Sequence, residues 1–201
     1  MNLSHIGKLD INPDKVLVRL GYARGRTVVN PKTENLLEDE IRTASKLISA
    51  KHVIAFSGIN RGPKGNILLE PGFEIHSKDI SELLKDCVKA YGFAVTIGGF
   101  IEDKRNAYIK DNQTTKALML DAVGSVAAEE LADIINKHIT AEAEKDGLKT
   151  TRRFSPGYGD WKLEEQKAFL EWLGAKSAGI KLTGSFQMIP EKSVSAIIGI
   201  K

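Results

Sequence analysis

The segment from about 114 to 143 limits this chain most. Leu120, Val123, Ala127, Leu131, Ile134 and Ile135 recur there at steps of three and four residues, the spacing that gathers apolar side chains on one face of an α-helix. The rest of the fold has to be arranged around a helix this long, so it is expected to be central. Its middle, Ala122-Val123-Gly124-Ser125-Val126-Ala127-Ala128, is built of small residues, which lets another backbone approach closely. Two uses fit: dense packing against a sheet, or room for a ligand. Small residues in buried helices usually serve packing, and that reading is favoured.

The flanking sequence supplies the partners. Asn12-Pro13 and Asn30-Pro31 each set a capping side chain before a proline at the first helical position, where the missing N–H costs nothing. Leu37, Ile41, Ala44 and Ile48 form a helical stripe that gives way to a strand at His52-Val53-Ile54-Ala55-Phe56. Gly62-Pro63-Lys64-Gly65-Asn66 reads as a turn leading into a strand at Ile67-Leu68-Leu69; its glycines and lysine lack the spacing of a phosphate loop. Ser77 is placed to cap a helix carrying Ile80, Leu83, Leu84 and Cys87, followed by a strand around Phe93-Ala94-Val95-Thr96-Ile97. A short helix is expected over 162–173 with Asp160 near its cap. Strands are expected over 180–183, 185–189 and 193–198, the last two joined by Pro190-Glu191-Lys192. No linker or repeat divides the chain, so 1–201 reads as a single α+β domain: a mixed, largely antiparallel sheet with a long central helix and flanking helices.

Composition removes several functions. Apolar residues make up 42% and charged residues 27% of 201 residues, ordinary globular usage. A net charge of +3, with the basic residues scattered, gives no nucleic-acid footprint. The single cysteine, Cys87, rules out an internal disulfide and any multi-cysteine zinc site, and it is expected in the core. The N-terminal sequence Met1-Asn2-Leu3-Ser4-His5-Ile6 has no long apolar core of a signal peptide, and no apolar run approaches a membrane span. A soluble, cytoplasmic protein that contacts no membrane is expected. His5, His52, His76 and His138 are far apart and form no metal-spaced set. No GxSxG elbow and no GxGxxG loop occurs, so nucleophilic hydrolysis and common dinucleotide binding lack support.

The most informative stretch is Arg153-Phe154-Ser155-Pro156-Gly157-Tyr158-Gly159-Asp160-Trp161. An arginine fork grips a carboxylate, Pro156 and Gly157 let main-chain groups face a ligand, and Tyr158 offers a ring and a hydroxyl. Either a small-molecule site or a tight loop with a solvated arginine pair fits these residues. On composition alone the loop leads, because Gly and Pro are first of all turn residues.

These residues, with Lys162-Leu163-Glu164-Glu165-Gln166, the run Gly179-Ile180-Lys181-Leu182-Thr183-Gly184-Ser185-Phe186-Gln187-Met188-Ile189-Pro190 and Lys192-Ser193-Val194-Ser195-Ala196-Ile197-Ile198-Gly199, resemble the activation domain of cobalamin-dependent methionine synthase. Val95-Thr96-Ile97-Gly98 and Asp121-Ala122-Val123-Gly124-Ser125 through Glu129 extend the likeness, which covers the chain from about Asp10 onward. The resemblance implies a methyltransferase component that binds S-adenosylmethionine and helps rescue a synthase whose cobalamin has become cob(II)alamin. An electron from flavodoxin or a similar donor yields cob(I)alamin, which the sulfonium methyl then traps. Such chemistry asks the protein mainly to position two reactants.

Carried over residue by residue, the family's ligand motif falls on Arg153, Ser155, Gly157 and Tyr158. Arg153 is assigned to the methionyl carboxylate, main-chain groups of Ser155 and Gly157 to polar parts of the ligand, and Tyr158 to packing or cation–π contact. Glu129 matches a family acid near the cofactor-facing side and is the candidate catalytic residue, with a solvated helix carboxylate as its plain alternative. No metal ligand is expected. The sequence departs from the family where Gly184 replaces a glutamate and Ser155 a small apolar residue. Relatives also continue past the position of Lys201 with a tyrosine that touches the ligand. The cobalt-binding Asp-x-His-x-x-Gly sequence is missing, so the corrinoid is expected on a partner: a separate methionine synthase or another corrinoid protein. The alternatives are a non-catalytic docking module and a reactivator of a different corrinoid methyltransferase.

Overall fold

The structure, a computed structural model, describes residues 9–23, 25–63 and 65–201. The N-terminal reading over 1–8 with His5, and Lys64 of the glycine turn, lie outside the described residues. Both Asn-Pro starts form as the sequence implies. In α1 (Pro13–Arg19) the Asn12 side chain accepts a bond from the Asp14 N–H at 2.8 Å, and in α2 (Pro31–Leu47) Asn30 accepts one from Thr33 at 2.9 Å. The chain then runs through β1 (Lys51–Arg61), β2 (Ile67–Leu69), β3 (Phe73–Ile75), α3 (Lys78–Leu83), β4 (Lys89–Thr96), α4 (Phe100–Lys110) and α5 (Thr114–Lys145). A 3-10 turn over 163–165 leads into α6 (Gln166–Trp172), followed by β5 (Lys181–Leu182), β6 (Met188–Ile189) and β7 (Ser193–Ile200).

The strands form a five-stranded sheet in the order β3-β2-β1-β4-β7, every pair antiparallel, and a separate β5-β6 ribbon. The fold is α+β, as expected, with α5 along one face of the sheet. Period-two alternation splits the core in two. Phe93, Val95, Ala196, Ile198 and Ile200 point to the α5 side, while Ala90, Ala94 and Ile197 point to the α6 side. On the α6 side two glycines make the approach possible. A Cβ on Gly92 would collide with Trp172, Leu173 and Phe169, and one on Gly199 with Cys87 and Leu84. Cys87 is buried there, and burial pushes its thiol up.

Helix α5 is the spine of the opposite side. Residues 122–128 are buried without a break, so the small-residue run sits where neighbours press on the helix from several directions. Leu120, Val123 and Leu131 are fully shielded, each worth about 1.5–3 kcal/mol relative to exposure. At Gly124 a Cβ would lie 2.9 Å from Ile101 Cγ2 and 3.4 Å from Lys192 Cε. The glycine therefore admits a residue of α4 and the stem of a lysine at one point, which is packing, though not against the sheet, while Ser125 and Ala128 of the same run line a cavity.

The structure corrects one expectation and adds two features the sequence analysis does not give. Helix α4 has no counterpart in the sequence reading. Its N-cap is Gly99 with no side-chain bond, and its buried residues are Ile101 and Tyr108, which are too sparse to register as a stripe. Asp160 does not cap the helix that follows it; its carboxylate accepts the N–H groups of Lys78 at 2.8 Å and Asp79 at 3.2 Å at the start of α3. The strands on either side of Pro190-Glu191-Lys192 belong to different sheets: β6 pairs with β5 and β7 with β4. Among the described residues no helix is long and apolar enough to cross a membrane.

Candidate functional site

Arg153 is placed by main-chain pairing on either side of it. Residues 149–154 run along the outer edge of β7: the Thr151 N–H donates to Gly199 O at 2.9 Å, Phe154 donates to Ile197 O at 3.0 Å, and Ile197 donates back at 2.8 Å. This strap turns the Arg153 side chain onto α5, where Nη2 meets Glu129 Oε2 at 2.7 Å and Asp133 Oδ1 at 3.2 Å. Glu129 and Asp133 stand four residues apart and so share one face of the helix. The other terminal guanidinium nitrogen, Nη1, is shielded from solvent and has no hydrogen-bond partner among the described residues. A buried donor without an acceptor costs stability unless something else supplies one.

The turn that follows is pinned from both ends. Gly157 N–H donates to Trp161 O at 2.7 Å, Trp161 N–H to Tyr158 O at 3.1 Å, and Tyr158 N–H to Ser155 O at 3.3 Å. Gly157 at φ +90° and Gly159 at φ +53° occupy the left-handed region open to glycine. A Cβ on Gly159 would also run into the Asp79 carboxylate. Asp160, hydrogen-bonded by the Ser77 hydroxyl and by the two α3 N–H groups, has its carboxyl held below the usual range, the Ser77 bond contributing most. Because the Gly157 N–H is already used, Gly157 can offer a ligand only its carbonyl. Tyr158 is 69% exposed, with its ring free of the core.

Beside this turn lies a cavity of about 870 Å³, within the range of small-molecule sites. Its walls come from Ser125, Ala128 and Glu129 of α5, Leu163 and Gln166 at the start of α6, and the two segments 186–189 and 191–194, with Glu102 of α4 and Arg19 of α1 at the edges. Arg153, Ser155, Gly157 and Tyr158 are not among its lining residues; the turn meets the cavity through the wall residues it holds. Arg153 holds the wall residue Glu129, and Gly157 packs against the wall residue Leu163, 3.3 Å from where its Cβ would be. Gln166 is buried and its Nε2 donates to Phe186 O at 2.8 Å, fixing the opposite wall.

The structure brings Glu129 and Arg153 into contact and sets Ser155, Gly157 and Tyr158 in one turn beside them. It also shows residues to which the sequence reading gave no role. Lys192 is buried and its Nζ bonds Asp121 at 2.7 Å and Ser125 Oγ at 3.0 Å. Asp121 is shared with Arg105 at 2.9 Å, and Arg105 also holds Glu191 at 2.7 Å. Burial alone would push the Asp121 carboxyl up, but the Lys192 and Arg105 bonds outweigh it and hold it below the ordinary range. Burial pushes Glu102 up. The only sequence signal for this cluster was a glycine inside a buried helix. No group of three or more metal-ligating side chains occurs among the described residues.

The chain is an α+β domain with a buried spine helix, a strapped arginine and a cavity beside the middle of that helix. The family profile described as "Vitamin B12 dependent methionine synthase, activation domain" matches residues 79–201, more than half of the chain, and the chain belongs to that family. Among solved structures it is similar to the one titled "Crystal Structure of the MetH Reactivation Domain bound to AdoHcy", with a TM-score of 0.71 and 19% identity over 96% of this chain and 74% of that one. At that identity the likeness establishes the fold. A comparison with curated proteins finds no match.

Proposed function

We propose that this chain binds S-adenosylmethionine in the cavity beside the 153–158 turn and supports reductive methylation of cobalamin carried by a separate cobalamin-dependent methionine synthase. The observation that carries the reading is Arg153: one guanidinium nitrogen is tied to the cavity wall through Glu129, while Nη1 is shielded and lacks an acceptor. A ligand carboxylate would supply that acceptor. Family membership points the same way, and the reactivation domain of similar fold is bound to AdoHcy.

When bound, the sulfonium supplies a methyl group to cobalt that has been reduced to cob(I) by a flavodoxin-like donor or another one, leaving S-adenosylhomocysteine. This chain's residues hold and orient. Arg153 takes the methionyl carboxylate, the Gly157 carbonyl and Ser155 main-chain groups face polar parts of the ligand, and the Tyr158 ring is free to cover it. Glu129 supplies negative charge beside a cationic ligand, which suits a sulfonium and an α-ammonium better than a neutral product. No acid, base or acyl-enzyme step is required of the protein.

Calorimetric titration of S-adenosylmethionine into the protein and into Arg153→Ala tests the assignment. Binding weakened at least about tenfold by the substitution is expected; equal binding by both removes Arg153 from the site. Adding the corrinoid partner and a reductant should then yield methylcobalamin. A second reading, a docking module that binds the partner without the ligand, draws on the two carboxylates that already occupy Arg153 Nη2. It predicts partner binding with no thermal shift from S-adenosylmethionine.

A further inference from the structure

Lys192 is the one buried cation on the cavity wall among the described residues; the other lining cation, Arg19, is exposed at the edge. Its ammonium carries three N–H groups. Two are used, on Asp121 at 2.7 Å and Ser125 Oγ at 3.0 Å, and no described residue accepts the third. Since Ser125 and Lys192 both line the cavity, the bond between them sits at the wall and places the ammonium there. The stem reaches this point only because α5 has glycine at 124: a Cβ there would lie 3.4 Å from both Cγ and Cε of the lysine. The base of the stem is fixed as well, with the Lys192 N–H donating to Glu102 at 3.2 Å and its carbonyl accepting from Ile97 at 3.1 Å.

A hydrolytic Ser–Lys pair does not fit this geometry. The lysine is in an ion pair with Asp121, and the Ser125 hydroxyl donates to the Asp121 carbonyl at 3.1 Å, so neither group is in the form a base and nucleophile need. What remains is a positioned, largely desolvated ammonium with one open donor, and the acceptor that gains most from it is an anion. Ser125 and Glu129 are one helical turn apart on α5, and Lys192 and Arg153 are each bonded to one of them, which sets the two cations on the same stretch of the helix.

Resting on the proposed function, we infer that Lys192 is a second anchor for the carboxylate of the bound sulfonium amino acid, facing Arg153 across the ligand's methionyl end. The carboxylates on the same wall, Glu102 and Glu129, are then left for the positive groups of the ligand. Removing the lysine charge does not orphan Asp121, which keeps Arg105 at 2.9 Å, so the site can keep its shape without it.

The test pairs two ligands with two variants. S-adenosylmethionine and its decarboxylated analogue, which keeps the sulfonium and the adenosine, are titrated into the full chain, into Lys192→Met and into Lys192→Gln, read by calorimetry and by thermal shift. Both variants should bind S-adenosylmethionine roughly ten- to a hundredfold more weakly, while the analogue changes by less than about twofold. Unchanged analogue binding is itself the proof that the site is folded. Equal weakening of both ligands, or weakening of neither, overturns the inference and leaves the proposed function standing. Absence of S-adenosylmethionine binding to the unaltered chain overturns the proposed function and this inference with it.

Discussion

Helix α5 carries two clusters of the same chemistry two turns apart, and they differ in what surrounds them. At the first, Asp121, 32% exposed, is shared by Lys192 and Arg105, whose side chains are 9% and 19% exposed. At the second, Glu129 and Asp133, 54% and 38% exposed, hold Arg153, which is 27% exposed. A mostly buried charge pair is expensive to break, because the group left behind loses a partner that water replaces poorly. A pair open to water exchanges partners at little cost. The first cluster therefore serves as a fixed wall, and the second as the part of the site whose arginine can trade a protein acid for a ligand one.

Asp121→Ala strikes the fixed cluster hardest, because it takes an acceptor from two cations at once and leaves Lys192 without a counter-charge among the described residues. A loss of about 3 kcal/mol is expected in urea unfolding, and a loss below about 1 kcal/mol would make the two clusters equivalent. Acid should reach the same place more gently. The Asp121 carboxyl is lower in the folded chain than its unfolded value near 4, so its contribution is fully present above about pH 4 and fades as the pH falls through the folded value. Glu191, lowered chiefly by its bond to Arg105, adds to the same trend. Melting temperatures taken from pH 6 downward should drop most steeply below about pH 4, and Asp121→Asn should flatten that drop. Glu129→Ala should be the mildest, changing stability by less than about 0.5 kcal/mol, since Asp133 still holds Arg153 at 3.2 Å.

How much of this could be read beforehand follows from how local each signal is. The spine helix, both Asn-Pro starts and most strands lie in spacing and capping, which are properties of neighbouring residues. Helix α4 escaped because its start has no capping side chain and its buried face rests on Ile101 and Tyr108 alone. Sequence proximity assigns Asp160 to the nearest helix, whereas its carboxylate closes one that begins about 80 residues earlier; no local rule sees such a partner. The motif residues Arg153, Ser155, Gly157 and Tyr158 came from family likeness, and their gathering into one turn beside Glu129 is a tertiary fact. Lys192 gave no sign of a role, because what singles it out is Gly124 making room for it, a relation between residues far apart in the chain.

The way Asp160 and Gly159 are fastened to 77–79 also limits what an engineer could move. A peptide copied from 153–161 would carry every group meant to face the ligand, yet its bend is moulded by Ser77, Lys78 and Asp79. Transplanted to a new scaffold without that short second stretch, the copy would keep the letters and lose the shape.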